Sequence, residues 1–235
     1  QCPSCRMNTI TNNSGIDYQK ISRFQKKLLS EINDHIRKNY TRISICGTGE
    51  PFASRAFKDI LFSVEGANYP KLEIAIQTNG TLLDHNTWEK LKKIHDNIVY
   101  IIISIDAASE NTYSQIRRGG NYNKLIKNLT LLSELRIKGK LKQFNLAFVV
   151  QKRNYNEMVD AVKLSKDLNA DKIIFNLLTD WYTWTKKEFN EEAIWSETHK
   201  EFKEFMKVLE NPIFSDDVVD PGNLSKYLLE AKSTS

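Results

Sequence analysis

Arg42-Ile-Ser-Ile-Cys-Gly-Thr-Gly-Glu-Pro51 is a short apolar run that stops in a glycine-rich turn, and the same pattern returns along the chain. Strands are expected at Arg42–Cys46, Glu73–Thr78, Val99–Ile105, Phe144–Val150 and Lys172–Leu177, each dominated by Ile, Val, Leu or Phe, the composition of strands buried on both faces. Between them, Tyr18–Lys38, Phe52–Val64, His85–His95, Tyr122–Ile137 and Asn156–Leu168 carry apolar residues at three- and four-residue steps and read as helices. Strand and helix in alternation specify parallel pairing and an α/β fold, a partial (β/α)6 TIM-like barrel. After Asn176 the alternation stops. Lys186–Leu209 and Leu224–Lys232 read as a C-terminal helical segment, so residues 1–180 are expected to form the barrel and 181–235 a helical extension or a linker toward a further domain.

Polar and turn residues close each strand: Gly47, Thr48, Gly49, Glu50 and Pro51; then Thr78, Asn79 and Gly80; Asp106 to Ser109; Gln151 to Asn154; Thr179 and Asp180. In barrels and open parallel sheets ligands bind at the carboxyl ends of strands, so these segments are expected to meet at one mouth.

Composition narrows the classes. The 235 residues are 40% hydrophobic, enough for a real core, and the net charge of +5 comes from lysines scattered over polar helix faces, which does not imply nucleic acid. No run of 18 apolar residues and no signal-peptide pattern occurs, so no membrane role is expected and the cytoplasm is the default compartment. Three cysteines, two of them in Cys2-Pro-Ser-Cys5, suit metal or redox chemistry better than a disulfide framework.

Each motif has a plain reading as well. Cys2 and Cys5 can put two thiolates on one metal or be incidental thiols; His35, His85, His95 and His199 complete no ligand spacing with them. The glycines of 47–51 let backbone approach a ligand, or merely form a turn with Pro51 near a helix start. Asn79-Gly80 is a good turn pair, and Asp106 or Ser109 can cap the next helix. Arg117 can be a solvated residue at a helix end. Trp181, Tyr182 and Trp184 can wall a substrate, dock a partner or cover a core.

Taken together, Cys-x-x-Cys, Gly-Thr-Gly-Glu-Pro, Thr-Asn-Gly, Ser-Ile-Asp-Ala-Ala-Ser and Tyr113-Ser-Gln-Ile-Arg-Arg-Gly-Gly120, in that order, resemble the radical S-adenosylmethionine (SAM) superfamily over about residues 2 to 180. The likeness is greatest to members with C-terminal SPASM or twitch domains, although no auxiliary-cluster cysteines follow Cys46. The resemblance implies a [4Fe-4S] cluster held by three cysteines in C-x3-C-x2-C. Cys2 and Cys5 would be the second and third, the first lying four residues before Cys2. It implies reductive cleavage of SAM to a 5′-deoxyadenosyl radical that takes hydrogen from a peptide, protein or small metabolite, with flavodoxin or ferredoxin as reductant. It assigns the backbone of Gly47–Pro51 to the methionine amino group, and Ser104, Asp106 and Asn79 to ribose or carboxylate. Arg117 would take the carboxylate, and Val149, Val150 and Asn176 would lie near adenine. A non-catalytic SAM-binding or partner-recognition barrel, and a zinc-stabilised barrel, are the alternatives.

Overall fold

The structure, a computed structural model, describes residues 19–27, 30, 39–46 and 49–233. Residues 19–27 are helical (α1). Then come β1 (Thr41–Ile45), α2 (Arg55–Ser63), β2 (Leu72–Thr78), α3 (His85–Lys90), β3 (Ile98–Ser104), α4 (Glu110–Ile116), α5 (Tyr122–Ile137), β4 (Phe144–Val150), α6 (Met158–Asp167), β5 (Lys172–Leu177), α7 (Lys186–Glu192), α8 (Phe202–Leu209), β6 (Val219–Asp220) and α9 (Ser225–Ser233). Cys2, Cys5, Gly47 and Thr48 lie outside the described residues, as does much of the helix expected at Tyr18–Lys38.

The six strands form one sheet in the order β1-β2-β3-β4-β5-β6, every neighbouring pair parallel. Right-handed crossovers that always advance in the same direction put their helices on the same face of a sheet. Burial follows that rule. Ile74, Ile76, Thr78, Ile101, Ile103, Phe144, Leu146, Phe148, Val150, Ile173 and Phe175 are at most 4% exposed and share a core with Trp88, Leu91, Ile94, Leu125, Leu129, Leu132, Met158 and Val162 from the connections. On the opposite face Ser44 and Gln77 are exposed, and Ile102, Ser104, Ile174 and Asn176 are half-buried. The strands were expected to be covered on both faces. Among the described residues this face is only partly covered, most fully at its centre, where Ala75, Asn145 and Ala147 are buried.

Side-chain caps end several of the strand-to-helix turns: Ser54 accepts from the Phe57 amide, Asp84 from Thr87, Ser109 from Thr112 and Asn121 from Lys124. Each meets one of the amides a helix start leaves without an intrahelical partner. Gly80 turns out of β2 with φ +77°, and a Cβ there would lie 2.8 Å from Ile103 Cγ2 and 2.9 Å from Leu125 Cδ1, so helix α5 packs too closely on β3 for any side chain at this turn.

Three elements differ from expectation. The single helix Lys186–Leu209 is broken into α7 and α8: the Glu192 carbonyl accepts from Lys152 and Ile194 amides, and His199 Nε2 bonds the Glu191 carbonyl, so the ladder that would carry the helix onward is diverted. β6, an unexpected strand between the helices expected at Lys186–Leu209 and Leu224–Lys232, pairs Val219 with Ile173 and Asp220 with Ile174. Helix α4 was not expected as a separate element. Among the described residues no helix is long and apolar enough to cross a membrane.

Candidate active site

The carboxyl ends of β1 to β4 are tied to one another by side chains. Glu50, after β1, accepts from the Thr78 hydroxyl at 2.5 Å, from the Asn79 amide at 2.8 Å and from the Phe52 amide at 3.2 Å, which fastens the first turn to the end of β2. Burial pushes the Glu50 carboxyl above its ordinary value, opposed by those three hydrogen bonds and by the charge of Arg117. The Glu50 carbonyl is taken by the Ala53 and Ser54 amides, and Pro51 is buried and has no N–H. Gly49 remains open: a Cβ added there would meet nothing within 4 Å.

Asn79 closes β2 by taking the Thr81 amide (2.9 Å) and hydroxyl (2.7 Å) on Oδ1. Ser104 ends β3 on the partly covered face, its hydroxyl 3.4 Å from Gln77 Nε2. Asp106, 3% exposed, holds a left-handed backbone at φ +54°. Its Oδ2 pairs with Arg117 at 2.5 Å, its Oδ1 accepts the Val149 amide at 2.8 Å, and its carbonyl accepts from Asn154 Nδ2 at 2.9 Å. A non-glycine residue in this region costs on the order of 1–3 kcal/mol unless its surroundings fix it, and these three bonds do so. Asp106 therefore does not cap α4; Ser109 does.

Arg117, at the carboxyl end of α4, is half-buried between buried Ile116 and exposed Arg118, with its side chain 17% exposed. It is the cation that faces both Asp106 and Glu50. Glu50, Asn79, Ser104, Asp106 and Arg117 thus stand at adjacent strand ends. Cys46 lies just past β1 as an exposed free thiol, and among the described residues no group of three His, Cys, Asp or Glu side chains is placed to hold a metal.

The radical SAM superfamily profile matches residues 1–177. The chain belongs to the radical SAM superfamily. Among curated proteins it is 33% identical over 117 residues to molybdenum cofactor biosynthesis protein moc-5 of Caenorhabditis elegans, covering 48% of this chain and 18% of that one. It is 30% identical over 119 residues to GTP 3′,8-cyclase of Clostridium botulinum, covering 50% of this chain and 35% of that one. It therefore spans well under half the length of these relatives. Among solved structures, native anSMEcpe with bound AdoMet and Kp18Cys peptide superposes with a TM-score of 0.59 at 20% identity, over 92% of this chain and 55% of that one; this likeness is one of fold.

Two residues of this radical SAM mouth carry no signal in the motifs. Asn154, 0% exposed, spans three segments: its Oδ1 accepts the Gln151 amide and its Nδ2 donates to the Asp106 and Val149 carbonyls. Glu157 reaches back to the start of α4, taking the Ala108 and Ser109 amides and the Ser109 and Thr112 hydroxyls. Tyr122 adds a hydroxyl bond to the Ala108 carbonyl at 2.7 Å, and burial raises its phenol above the ordinary value. The one available clue was that Asn154 lies in a polar strand-end run and Glu157 at a helix start, where each would ordinarily serve its own segment.

Proposed function

We propose that this chain binds SAM at the carboxyl mouth of its sheet and, with a [4Fe-4S] cluster, initiates hydrogen abstraction from a peptide, protein or small-metabolite substrate. The observation that carries the reading is the tying together of Glu50, Asn79, Ser104, Asp106 and Arg117 at neighbouring strand ends in a member of this superfamily.

Cys2 and Cys5 have the thiolate chemistry such a cluster requires, with the motif's first cysteine implied four residues before Cys2. Those thiolates would hold the cluster, whose chemistry there would be one-electron reduction of SAM to methionine and a 5′-deoxyadenosyl radical. The chain's own residues bind and orient. Gly49, unencumbered by a side chain, lets the backbone of 47–51 approach the methionine amino group. Arg117, fixed by its ion pair with Asp106, is assigned to the methionine carboxylate, which its planar guanidinium matches in shape and charge, and Asn79 presents its amide donors while its oxygen is taken by Thr81. The Ser104 hydroxyl and the Asp106 carboxylate are assigned to ribose, with Asp106 also fixing Arg117. Half-buried Val149 and Asn176 flank the adenine side, whereas the Val150 side chain is buried among the core residues. A peptide substrate draws support from the peptide named in the anSMEcpe structure.

The test is anaerobic reconstitution of the native protein with iron and sulfide, followed by strong reductant and SAM. Methionine and 5′-deoxyadenosine should form in equal amounts, and Cys2→Ala or Cys5→Ala should remove both the iron–sulfur chromophore and the cleavage. A reconstituted protein that takes up no iron and leaves SAM intact would sink the reading.

A further inference from the structure

After β5 the chain leaves the sheet and comes back to the tip of the neighbouring strand. The Leu178 amide donates to the Val150 carbonyl at 3.1 Å, and the Lys152 amide donates to the Glu192 carbonyl at 2.9 Å. Both pins are on the carboxyl tip of β4, two residues apart, so residues 179–191 form a closed loop at the mouth. Its return leg is stiffened by a capping box, in which Glu188 takes the Thr185 amide and hydroxyl while Thr185 caps the Glu188 amide. Its outgoing leg carries Trp181 at 56% and Tyr182 at 87% exposure, and Tyr182 is held at φ +61° with its amide on Asp180 Oδ1.

The base of this loop contains polar atoms that the fold leaves unmatched. Gln151 is 2% and Glu192 5% exposed, yet among the described residues Gln151 Nε2 and Glu192 Oε2 have no partner; Arg153 Nε holds the other Glu192 oxygen, at 2.6 Å. Thr183 Oγ1 and Trp184 Nε1 are likewise buried and unpartnered. A buried polar group without a partner works against folding, so four of them on two segments pinned to each other point to a ligand that completes them. The set contains two donors (Gln151 Nε2 and Trp184 Nε1), one acceptor (Glu192 Oε2) and one hydroxyl that serves as either.

We propose that loop 179–191, with the β4 tip at 151–153, is the substrate subsite of this enzyme and takes an extended peptide. A peptide backbone offers the carbonyls and amides that match this mixed set, and it runs far enough to lay a side chain against Trp181 and Tyr182 at the rim, where rings bind apolar side chains well. A phosphate-rich nucleotide fits poorly, because its oxygens only accept and would face the Glu192 carboxylate. The inference rests on the SAM site being at the same mouth.

The test uses the reconstituted full-length protein with saturating SAM, and a synthetic library of blocked octapeptides as the probe, selected by affinity and mass spectrometry. The best binder is then titrated against wild type, Trp181→Ala/Tyr182→Ala and Gln151→Leu, with SAM affinity measured in parallel. Peptide affinity should fall about tenfold or more in each variant, and backbone N-methylation of the peptide should cost a similar factor, with SAM affinity unchanged. Gln151→Leu conserves bulk; the rim variant replaces only exposed side chains, so its fold is not at issue. Octapeptides that bind all variants equally overturn the assignment, as do nucleotides such as GTP that bind in their place and are lost with the rim rings. Intact SAM binding and cleavage with no octapeptide bound overturns this inference while leaving the SAM reading in place; loss of SAM cleavage in wild type overturns that reading instead.

Discussion

Asn154→Ala is the sharpest probe of how the mouth is held. The substitution removes one acceptor and two donated bonds from a side chain that is 0% exposed, stranding the Gln151 amide and taking a donor each from the Asp106 and Val149 carbonyls. An unmet buried group costs about 1–3 kcal/mol, and carbonyls suffer less than amides because a second lone pair can find another donor. The sum expected is about 3 kcal/mol. Urea unfolding of wild type and variant should show the midpoint moving down with the slope unchanged, the mark of lost stability in an otherwise equivalent native state. Because Asn154 clamps the Asp106 carbonyl, SAM affinity measured well below the unfolding temperature should also fall, by about tenfold. Asn154→Asp keeps the acceptor for Gln151 but sets an oxygen against two carbonyls, and should be at least as damaging. A loss under about 1 kcal/mol, or a full stability loss with SAM affinity intact, would refute the view that Asn154 positions the loop.

Gly80→Ala should destabilise by about 2 kcal/mol in the same unfolding assay, since its φ is +77° and the added carbon would lie 2.8 Å from Ile103 and 2.9 Å from Leu125. Asp171, which takes Arg136 at 2.7 and 2.8 Å and the Phe144 amide at 2.8 Å, resists the upward push of its partial burial and is held below its ordinary 3.8 by those partners. Its contribution is therefore present above pH ~4 and lost as pH falls through the lower folded value. The stability gap between wild type and Asp171→Asn should accordingly be flat near neutrality, about 1–2 kcal/mol, and close in acid. Glu50 has the opposite sign: burial raises it above 4.5, so its favourable contribution is present below that pH and fades as pH rises through the folded value. Glu50→Gln should flatten the fall in stability over that window, read from urea midpoints at a series of pH values; an unchanged pH slope would count against a buried carboxylate there.

What the sequence discloses is what one segment says about itself. Phe144–Val150, Lys172–Leu177 and Tyr122–Ile137 are strands and a helix with the expected bounds because apolar period and flanking turns coincide in each. The glycine-rich turn after β1 and the Asp106 turn after β3 were visible as strand ends for the same reason. β6 was not, because a strand of two residues, Val219–Asp220, is too short to have a period; its pairing with Ile173 and Ile174 selects it. The break between α7 and α8 comes from Lys152, a residue on another element. The ties of the site were hidden for the same cause: Asp106 meets Val149 43 residues away, Asn154 meets Asp106 across 48, and Glu157 meets Ala108 across 49.

Long-range ties occur at both ends of the sheet and are denser at the carboxyl ends. At the amino ends, Arg42 and Glu73 link β1 to β2, buried Asn97 donates to the Tyr69 and Leu72 carbonyls between β3 and β2, and Asp171 before β5 takes the Phe144 amide of β4 and Arg136 of α5; the two ion pairs have partly exposed side chains, so salt and water weaken them. At the carboxyl ends the fasteners are largely buried hydrogen bonds: Thr78 and Asn79 to Glu50, Asn154 to Asp106 and Val149, and Ser109 and Thr112 to Glu157. Hydrogen bonds in a low-dielectric setting hold direction as well as distance, and they are little affected by ionic strength. An open sheet lacks the closure that stiffens a complete barrel, so its strand ends need cross-links of their own to keep groups from four strands in register. Positioning a cofactor within hydrogen-bonding tolerance demands that stiffness at the mouth. The denser network of buried ties at that end follows from the requirement.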